Sequence, residues 1–465
     1  MKPIRIIFYT CLTYLIQLTD GHAETLESAL AKAYSANPQL NAARAALRAM
    51  DETVDQAQAG YRPTVSAEQN ISVLRRSEVK RGKATDRTMF PREANITISQ
   101  TLFDGSQTEN NTRRAESNVV SQRETLRFTE MTTLFSAAQS YMNVLSGTAT
   151  LHLRRNNVEV LEEQLLQSSS KFTVGTVTAT DVAQAKSRLA GARSDVSAAE
   201  AELRAFIGIY RRAIGVEPRQ LAPGRPPDRY IPGSLEASIV IGSREHPQIL
   251  SSLHAVDAAE AQVRVSEGQL YPQIDIFGSV KQREGQLSSA RQPNDQQLTN
   301  SDGVTVTALG RLTVPIYNGG RTYSEIRQAK ELAGQTRIRV EQVRDEIRAT
   351  IVSAWGQLEA AKSRIIASEA QVQANELALT GVREEASVGQ RTTLDILNAQ
   401  QELLNSRINL IIAQRDRVLN SYGVIQAIGR LTARFTVLPV ATYNARTHYD
   451  QIKNLWFGVR TPDGR

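Results

Sequence analysis

The chain has 465 residues and a formal net charge of +7; 41% of the residues are hydrophobic and 22% are charged. These proportions exclude wholesale disorder, and they exclude a protein made of several apolar membrane-spanning helices of about 20 residues each. One cysteine and five histidines leave no disulfide framework and no metal-ligand spacing, so we expect neither a metal site nor a cofactor.

The first 23 residues have the layout of a secretory signal peptide. Lys2 and Arg5 precede an apolar stretch at 6–18, and Gly21-His22-Ala23 places small residues before a cleavage site after Ala23. A short membrane anchor is the alternative, although the apolar stretch is short for crossing a bilayer. Cys11 lies inside this segment, so we expect a mature chain without cysteine and without a lipid anchor.

The remaining sequence contains two copies of one plan. At a shift of 209 residues, several leucine, glutamate, glutamine and proline positions near the start of each copy coincide, and at a shift of 214 the identities extend over 105–215. The change of shift indicates one longer loop in the second copy. The proline-free stretches 92–217 and 316–438 predict the helical part of each copy, and the prolines within 218–232 mark the linker.

Each proline-free stretch predicts a hairpin of long helices, because it is rich in Ala, Gln, Glu, Arg and Leu. A first helix of about 69 residues would be on the order of 100 Å long and would turn at Val174-Gly175. In the returning helix, apolar or small residues recur at spacings of three and four from Val182 to Phe206. This spacing predicts coiled-coil packing against a neighbouring helix.

Ahead of each hairpin, two segments change to a period of two, with apolar residues on one face. They predict β-strands of about ten residues, enough to cross a bilayer when tilted. Four strands from one chain cannot close a barrel, and an open sheet edge is not stable in lipid. If the strands cross the membrane, several chains must therefore contribute four strands each, and three chains would give twelve. The basic loop with Arg75, Arg76, Lys80, Arg81 and Lys83 is interpreted as a solvated hairpin tip, with an anion site as the alternative.

The predicted fold is mainly α with a β-barrel part, in two structural repeats of a strand pair plus a long α-helical hairpin. The predicted boundaries are 1–23 for the signal peptide, 24–215 for repeat 1 (strands about 64–74 and 94–103, helices about 104–172 and 181–215), 216–234 for the linker, 235–429 for repeat 2 (strands about 272–281 and 304–316, helices about 318–386 and 395–429) and 430–465 for a C-terminal tail. The tail is polar and lacks a helical period. Trp456 and Phe457 are expected either to strap it onto the helices or to belong to a mobile tail.

Two motifs at the hairpin turns carry a resemblance to a known family. Val174-Gly175-Thr176-Val177-Thr178-Ala179-Thr180-Asp181-Val182 and Val388-Gly389-Gln390-Arg391-Thr392-Thr393-Leu394-Asp395-Ile396-Leu397 occupy matching places in the two copies. With the layout of nearly the whole mature chain, they resemble the hairpin tips of the TolC family of outer-membrane efflux and secretion ducts. The resemblance implies a homotrimer with a 12-stranded barrel in the outer-membrane lipid, continuous with a periplasmic α-helical barrel. It also implies a periplasmic adaptor (membrane fusion) protein and an inner-membrane pump of the RND or ABC type.

The resemblance assigns roles to residues at the tips. It implies that Asp395 forms a ring of three carboxylates at the threefold axis. It also implies that Arg391 links neighbouring hairpins, with Thr180 and Asp181 as partners. The adaptor-docking residues that it implies are Val174, Gly175, Val388 and Gly389.

Simpler roles remain open for the same residues. Asp181 and Asp395 each stand where a helix restarts and would then be helix caps, Arg391 would be a solvated turn residue, and the turn glycines would close helix C-termini. The sequence also departs from the family pattern. Asn398 stands where a second acidic ring is expected, and Ala386 stands where an aromatic gate residue occurs, so we expect a weaker block by multivalent cations.

The mature sequence has no catalytic motif, phosphate-binding loop or cysteine nucleophile, so we expect a passive duct and not an enzyme. The modest charge is spread along the chain and gives no indication of a nucleic-acid partner. Drug efflux and protein secretion both fit such a duct. The competing hypothesis is a periplasmic coiled-coil scaffold without a channel, which would have no use for the four alternating segments.

Overall fold

The structure is a computed structural model that describes residues 23–80, 82–288, 299–453, 455–462 and 464. The predicted signal peptide up to residue 22 and Arg81 of the basic loop therefore lie outside the described residues. The helices and strands in chain order are α1 (Leu26–Ala36), α2 (Pro38–Gln58), β1 (Thr64–Ile71), β2 (Leu74–Lys80), β3 (Lys83–Met89), β4 (Arg92–Phe103), α3 (Gln107–Thr173), α4 (Ala179–Ile214), α5 (Leu235–Glu245), α6 (Pro247–Gly268), β5 (Gln273–Ser288), β6 (Thr299–Thr313), α7 (Arg321–Ser387), α8 (Thr393–Ala427) and α9 (Thr447–Ile452). Within these described ranges, no helix has both the length and the apolar character needed to cross a membrane.

The chain folds into two compact units, each built from several stretches of sequence. The first unit comprises the described residues up to Ala33, Ala137–Pro226 and Ser368–Val418, and it contains the turns of both helical hairpins. The second unit comprises Tyr34–Ser136, Pro227–Ala367 and the chain from Leu419 onward, and it contains the strands β1–β6.

A four-stranded antiparallel sheet of order β1-β4-β5-β6 lies in the second unit. Because side chains alternate along a strand, the register gives the sheet two different faces. The mostly apolar face carries Val65, Ala67, Ile71, Ala94, Ile96, Ile98, Ile274, Ile276, Val280, Val304, Val306, Ala308 and Leu312. The mostly polar face carries Thr64, Ser66, Glu68, Asn70, Glu93, Asn95, Thr97, Ser99, Asp275, Ser279, Lys281, Thr305, Thr307 and Arg311.

The loop between β1 and β4 is more ordered than expected. In place of a simple tip, it forms a separate two-stranded hairpin from β2 and β3. Gly82, at φ +81°, supplies the left-handed conformation of the turn, and Arg75 forms an ion pair with Asp86 across the strands at 2.8 Å. A polar hairpin has no apolar face, so the period-two signal that predicts strands is missing from its sequence.

The second strand pair is longer than the predicted 272–281 and 304–316 at its polar end, because β5 continues to Ser288 and β6 begins at Thr299. Ladder hydrogen bonds join backbone groups and continue where the side chains are polar. At its other end β6 stops at Thr313, two residues before Pro315, whose missing N–H ends the ladder.

In the first unit, α4 packs against α3 along the predicted seam. Ala185, Leu189 and Ala192 of α4 are buried in one cluster with Leu161 of α3 and Leu397 of α8. The alanines in this seam allow close approach of the helix backbones, while the leucines fill the space between them.

Tyr141 of α3 connects the N-terminal segment to the linker within the first unit. Its hydroxyl lies 2.7 Å from the Glu24 carbonyl and 2.6 Å from the Ala222 carbonyl. Burial raises the pKa of Tyr141 to about 12, so the hydroxyl keeps its single proton and donates it to one carbonyl at a time. Glu24 and Leu221 form a parallel bridge beside it.

In the second unit, α5 and α6 pack on α7 around a buried cluster that includes Ile249, Ile347, Ile351 and Ile428. Gly242 of α5 is buried against this cluster, and a methyl group at that position would meet the Ile351 side chain. The helix therefore packs closely on α7 because residue 242 has no side chain.

Residues 431–452 also pack within the second unit, so the predicted C-terminal strap forms over this range. His448 of α9 lies 3.1 Å from Asp51 of α2, and both are buried. The buried apolar residues of the segment are Leu431, Ala433, Leu438 and Ile452. The helix α9 has six residues, too few to show the helical period that the sequence lacks.

Candidate functional site at the hairpin tips

The first hairpin turns through a left-handed glycine after α3. Gly175 has φ +74°, its N–H donates to the Phe172 carbonyl at 3.0 Å, and the Thr176 N–H donates to the Lys171 carbonyl at 2.9 Å. These bonds satisfy carbonyls of the last helical turn. Open space surrounds the position of a Cβ at Gly175, so the backbone conformation is what requires glycine there.

The helix α4 restarts through a reciprocal capping box. The Thr178 hydroxyl accepts from the Asp181 N–H at 3.2 Å, and the Asp181 carboxylate accepts from the Thr178 N–H and hydroxyl at 2.9 and 2.7 Å. The hydrogen bonds from Thr178, the backbone one foremost, hold the pKa of Asp181 below its usual range. Asp181 is therefore a cap in the single chain, and Thr180 lies exposed in the first turn of α4.

The second hairpin repeats this geometry residue for residue. Gly389 turns at φ +82°, and Asp395 accepts from the N–H and hydroxyl of Thr392, both at 2.9 Å, while its own N–H donates to that hydroxyl at 3.3 Å. The same bonds, together with the charge of Arg391, lower the pKa of Asp395. The cap therefore holds a carboxylate that stays ionised at the tip.

Arg391 pairs inside its own hairpin. Its Nε lies 2.7 Å from Oε2 of Glu385, and both side chains are about half exposed. In the described part of the chain, neither Thr180 nor Asp181 is a hydrogen-bond or ion-pair partner of Arg391. Glu385 thus holds the Arg391 guanidinium beside the tip. Because both side chains are exposed, Arg391 can exchange Glu385 for another partner at little cost in free energy.

Asn398 connects α8 to α4. Its amide oxygen accepts from the Arg188 guanidinium at 2.8 Å, so the position where a second acidic ring was expected holds a neutral group bonded to a cation. Ala386 is half-buried near the end of α7 and offers no aromatic surface.

The tips also expose an apolar residue beside each turn glycine. Val174 is 73% exposed and Val388 is 70% exposed, which gives each tip a small apolar surface with no side chain on the adjacent glycine. In the described residues, no group of acidic, histidine or cysteine side chains is placed to hold a metal ion. The tips thus combine fixed charges with two small exposed apolar surfaces.

Comparison with known proteins identifies the family. The family profile "Outer membrane efflux protein" matches residues 29–207 and 243–430. The outer membrane efflux protein BepC of Brucella suis biovar 1 (strain 1330) is 41% identical over 446 residues, which cover 95% of this chain and 93% of BepC. The chain belongs to the outer membrane efflux protein family.

A more distant relative and a solved structure are consistent with this assignment. The outer membrane protein TolC of Escherichia coli (strain K12) is 24% identical over 424 residues, covering 88% of this chain and 83% of TolC. The crystal structure of the Campylobacter jejuni CmeC outer membrane channel has a TM-score of 0.76 at 15% identity, covering 92% of this chain and 88% of that chain. The resemblance to the TolC family and the predicted fold class, mainly α with a β-barrel part, are confirmed.

This outer membrane efflux protein is an exit duct of an efflux or secretion system and not an enzyme. Its strands belong to a barrel in the outer membrane, and its helices extend into the periplasm. The scaffold hypothesis accounts neither for the family match nor for a sheet with one apolar face.

Sequence reasoning missed two tip residues of this efflux protein, Glu385 and Arg188. Nothing in their spacing marks them, because each is one of many charged residues on a polar helix face. Glu385 meets Arg391 through the turn of the second hairpin, and Arg188 meets Asn398 through the packing of two helices. The caps Thr178 and Thr392 had a visible signal, since each begins a Thr-x-x-Asp pattern at a helix start.

Proposed function

We propose that three copies of this chain close their sheets into one twelve-stranded barrel through which solutes leave the cell. The observation that carries this proposal is a sheet of four strands with β1 and β6 at its outer edges. An open edge in lipid leaves backbone N–H and C=O groups without partners. Pairing of β1 in one chain with β6 in the next removes both edges, and three chains is the number that the family resemblance implies.

The two faces of the sheet give the barrel its orientation. The mostly apolar face meets lipid and the mostly polar face lines a water-filled lumen. Such a lumen is a passive route, so energy and substrate choice belong to an inner-membrane pump of the RND or ABC type. Drugs and secreted proteins are both within the range of substrates.

The periplasmic end closes at the tips of the second hairpins. Three copies of Asp395, each ionised and held by its cap, form a negative ring that attracts cations and repels itself. In the closed assembly Arg391 leaves Glu385 and bonds to Thr180 and Asp181 of the neighbouring chain. Breaking these bonds lets the hairpins move outward. Capping and gating are thus compatible roles of Asp395.

A periplasmic adaptor docks on the turns. The exposed Val174 and Val388 supply apolar contact area, and Gly175 and Gly389 allow an adaptor hairpin to approach the backbone closely.

Asn398 leaves the mouth with one acidic ring in place of two.

An engineered disulfide tests the closed tip. Cys11 is the single cysteine of the sequence and lies in the predicted signal peptide, so Arg391→Cys with Asp181→Cys introduces the only cysteine pair of the mature chain. We expect oxidation to join different chains and to abolish conductance in a planar bilayer, and a reductant to restore it. Either cysteine alone is the control and should do neither. Conductance that persists in a fully cross-linked sample, or a disulfide formed only within one chain, would contradict the proposed gate.

A further inference from the structure

The C-terminal segment 455–460 carries large apolar side chains that the chain itself leaves uncovered. Trp456 is 58% exposed, Phe457 is 89% exposed and Val459 is 100% exposed. The preceding residues are not loose, because Ile452 of α9 is buried and His448 of α9 bonds to Asp51. A contiguous exposed apolar cluster on an anchored segment marks an interaction surface.

The start of β1 fixes the position of this segment. The Arg62 guanidinium lies 5.1 Å from the centre of the Trp456 ring, and its Nη1 lies 3.5 Å from the Leu455 carbonyl. Asp55 of α2 holds the same guanidinium at 2.8 Å. Arg62 precedes β1 by two residues, so Trp456 is held at the end of the sheet where the strands meet the helices.

Other exposed side chains lie at the same end of the sheet. Tyr271, just before β5, is 59% exposed, and Ile316 and Tyr317, just after β6, are 90% and 76% exposed. Membrane barrels carry aromatic residues where the apolar face of the sheet meets the lipid headgroups. The segment therefore adds Trp456 and Phe457 to an aromatic belt on the periplasmic side of the membrane.

We propose that segment 455–460 is a membrane-surface anchor that binds phospholipid of the periplasmic leaflet of the outer membrane. Phe457 and Val459 enter the acyl boundary, Trp456 lies at the level of the headgroups, and the exposed Arg460 faces lipid phosphates. The occupant is a lipid surface because the segment lies at the end of a sheet that has one apolar face, where Tyr271 and Tyr317 are also exposed, and because it ends in a cation. This inference requires only the outer-membrane location and not the proposed trimer or gate.

Tryptophan fluorescence tests the anchor in the intact protein. The sequence has two tryptophans, Trp355 and Trp456, so the Trp355→Phe variant reports on Trp456 alone. In phosphatidylcholine–phosphatidylglycerol vesicles, we expect brominated phosphatidylcholine to quench Trp456 and aqueous iodide to quench it weakly. Adding Phe457→Ser and Val459→Ser should reverse this order and lower the ratio of lipid quenching to iodide quenching at least about tenfold.

The matched control is Val240→Ser in the Trp355→Phe protein, because Val240 of α5 is a similarly exposed apolar residue at 55% outside the belt. It should leave Trp456 quenching unchanged. Strong iodide quenching without lipid quenching would overturn the proposal. Protection from both quenchers would also overturn it and would indicate that a neighbouring protein chain covers the segment. Conductance measured in parallel in the same vesicles shows whether the channel is intact, so failure of the proposed anchor is distinguished from failure of the channel.

Discussion

His246 gives the fold a calculable dependence on pH. It precedes α6, where its Nδ1 accepts from the Gln248 N–H at 3.3 Å, and it is 2% exposed. Burial foremost, and the nearby charge of Arg127, lower the pKa of His246 from its usual 6.5 to about 4. The folded protein therefore holds this imidazole neutral under conditions in which the unfolded chain protonates it.

The sign and size of the effect follow from this shift. Because the folded pKa lies below the unfolded one, the stabilising contribution is complete above the unfolded pKa and is lost as pH falls through the folded pKa. Between pH 7 and pH 5, the unfolded state gains most of a proton and the folded state gains little. The free energy of unfolding should drop by about 2 kcal/mol over this interval through His246 alone.

The internal repeat supplies the matched variant. Asn37 is the cap of α2 at the position equivalent to His246, and its side chain accepts from the N–H groups of Gln39 and Leu40. His246→Asn should therefore keep a capping side chain and remove the titration. Urea unfolding in detergent at pH 7 and pH 5, followed by circular dichroism, should show a smaller pH-dependent loss in the variant by about 2 kcal/mol. Other titrating groups are common to both proteins and cancel. Equal pH-dependent losses would refute the reasoning.

Three further predictions concern packing and the gate. Tyr141→Phe removes a buried hydroxyl shared by two carbonyls and should lower the free energy of unfolding by about 1 kcal/mol in urea, with unchanged conductance. Gly242→Ala places a methyl group against Ile351 and should lower the free energy of unfolding by about 1–3 kcal/mol. The control, Gly191→Ala in α4, meets open space and should leave that free energy unchanged or raise it by about 0.5–1 kcal/mol. Equal effects of the two substitutions would contradict the packing argument. Asn398→Asp should strengthen block by a trivalent cation in single-channel recordings, and an unchanged block would remove Asn398 from the gate.

Local patterns predicted the parts of the fold that are set by neighbouring residues. The seam at Ala185, Leu189 and Ala192 follows from helical spacing, and the caps at Asp181 and Asp395 follow from their place at helix starts. These interactions depend on residues three or four apart, which the sequence displays directly.

Contacts that depend on packing between distant segments were not predictable in the same way. The pairing of Asn398 with Arg188 joins residues on two helices that are far apart in sequence. The contact of His448 with Asp51, which attaches residues 431–452 to α2, joins residues that are far apart in sequence. In each case several polar residues were equally suitable from the sequence, and the helix arrangement selects one of them.

Ion selectivity in a planar bilayer tests the central claim about the gate most directly. The three proteins to compare are the unmodified mature chain, Asp395→Asn and Asp181→Asn, because both substitutions keep a capping oxygen and remove one charge from matching tips. We expect cation selectivity in the unmodified protein, its loss in Asp395→Asn and its retention in Asp181→Asn. Selectivity that is unchanged in Asp395→Asn, or equally reduced in both variants, would contradict a carboxylate ring at the threefold axis and would leave Asp395 as a helix cap.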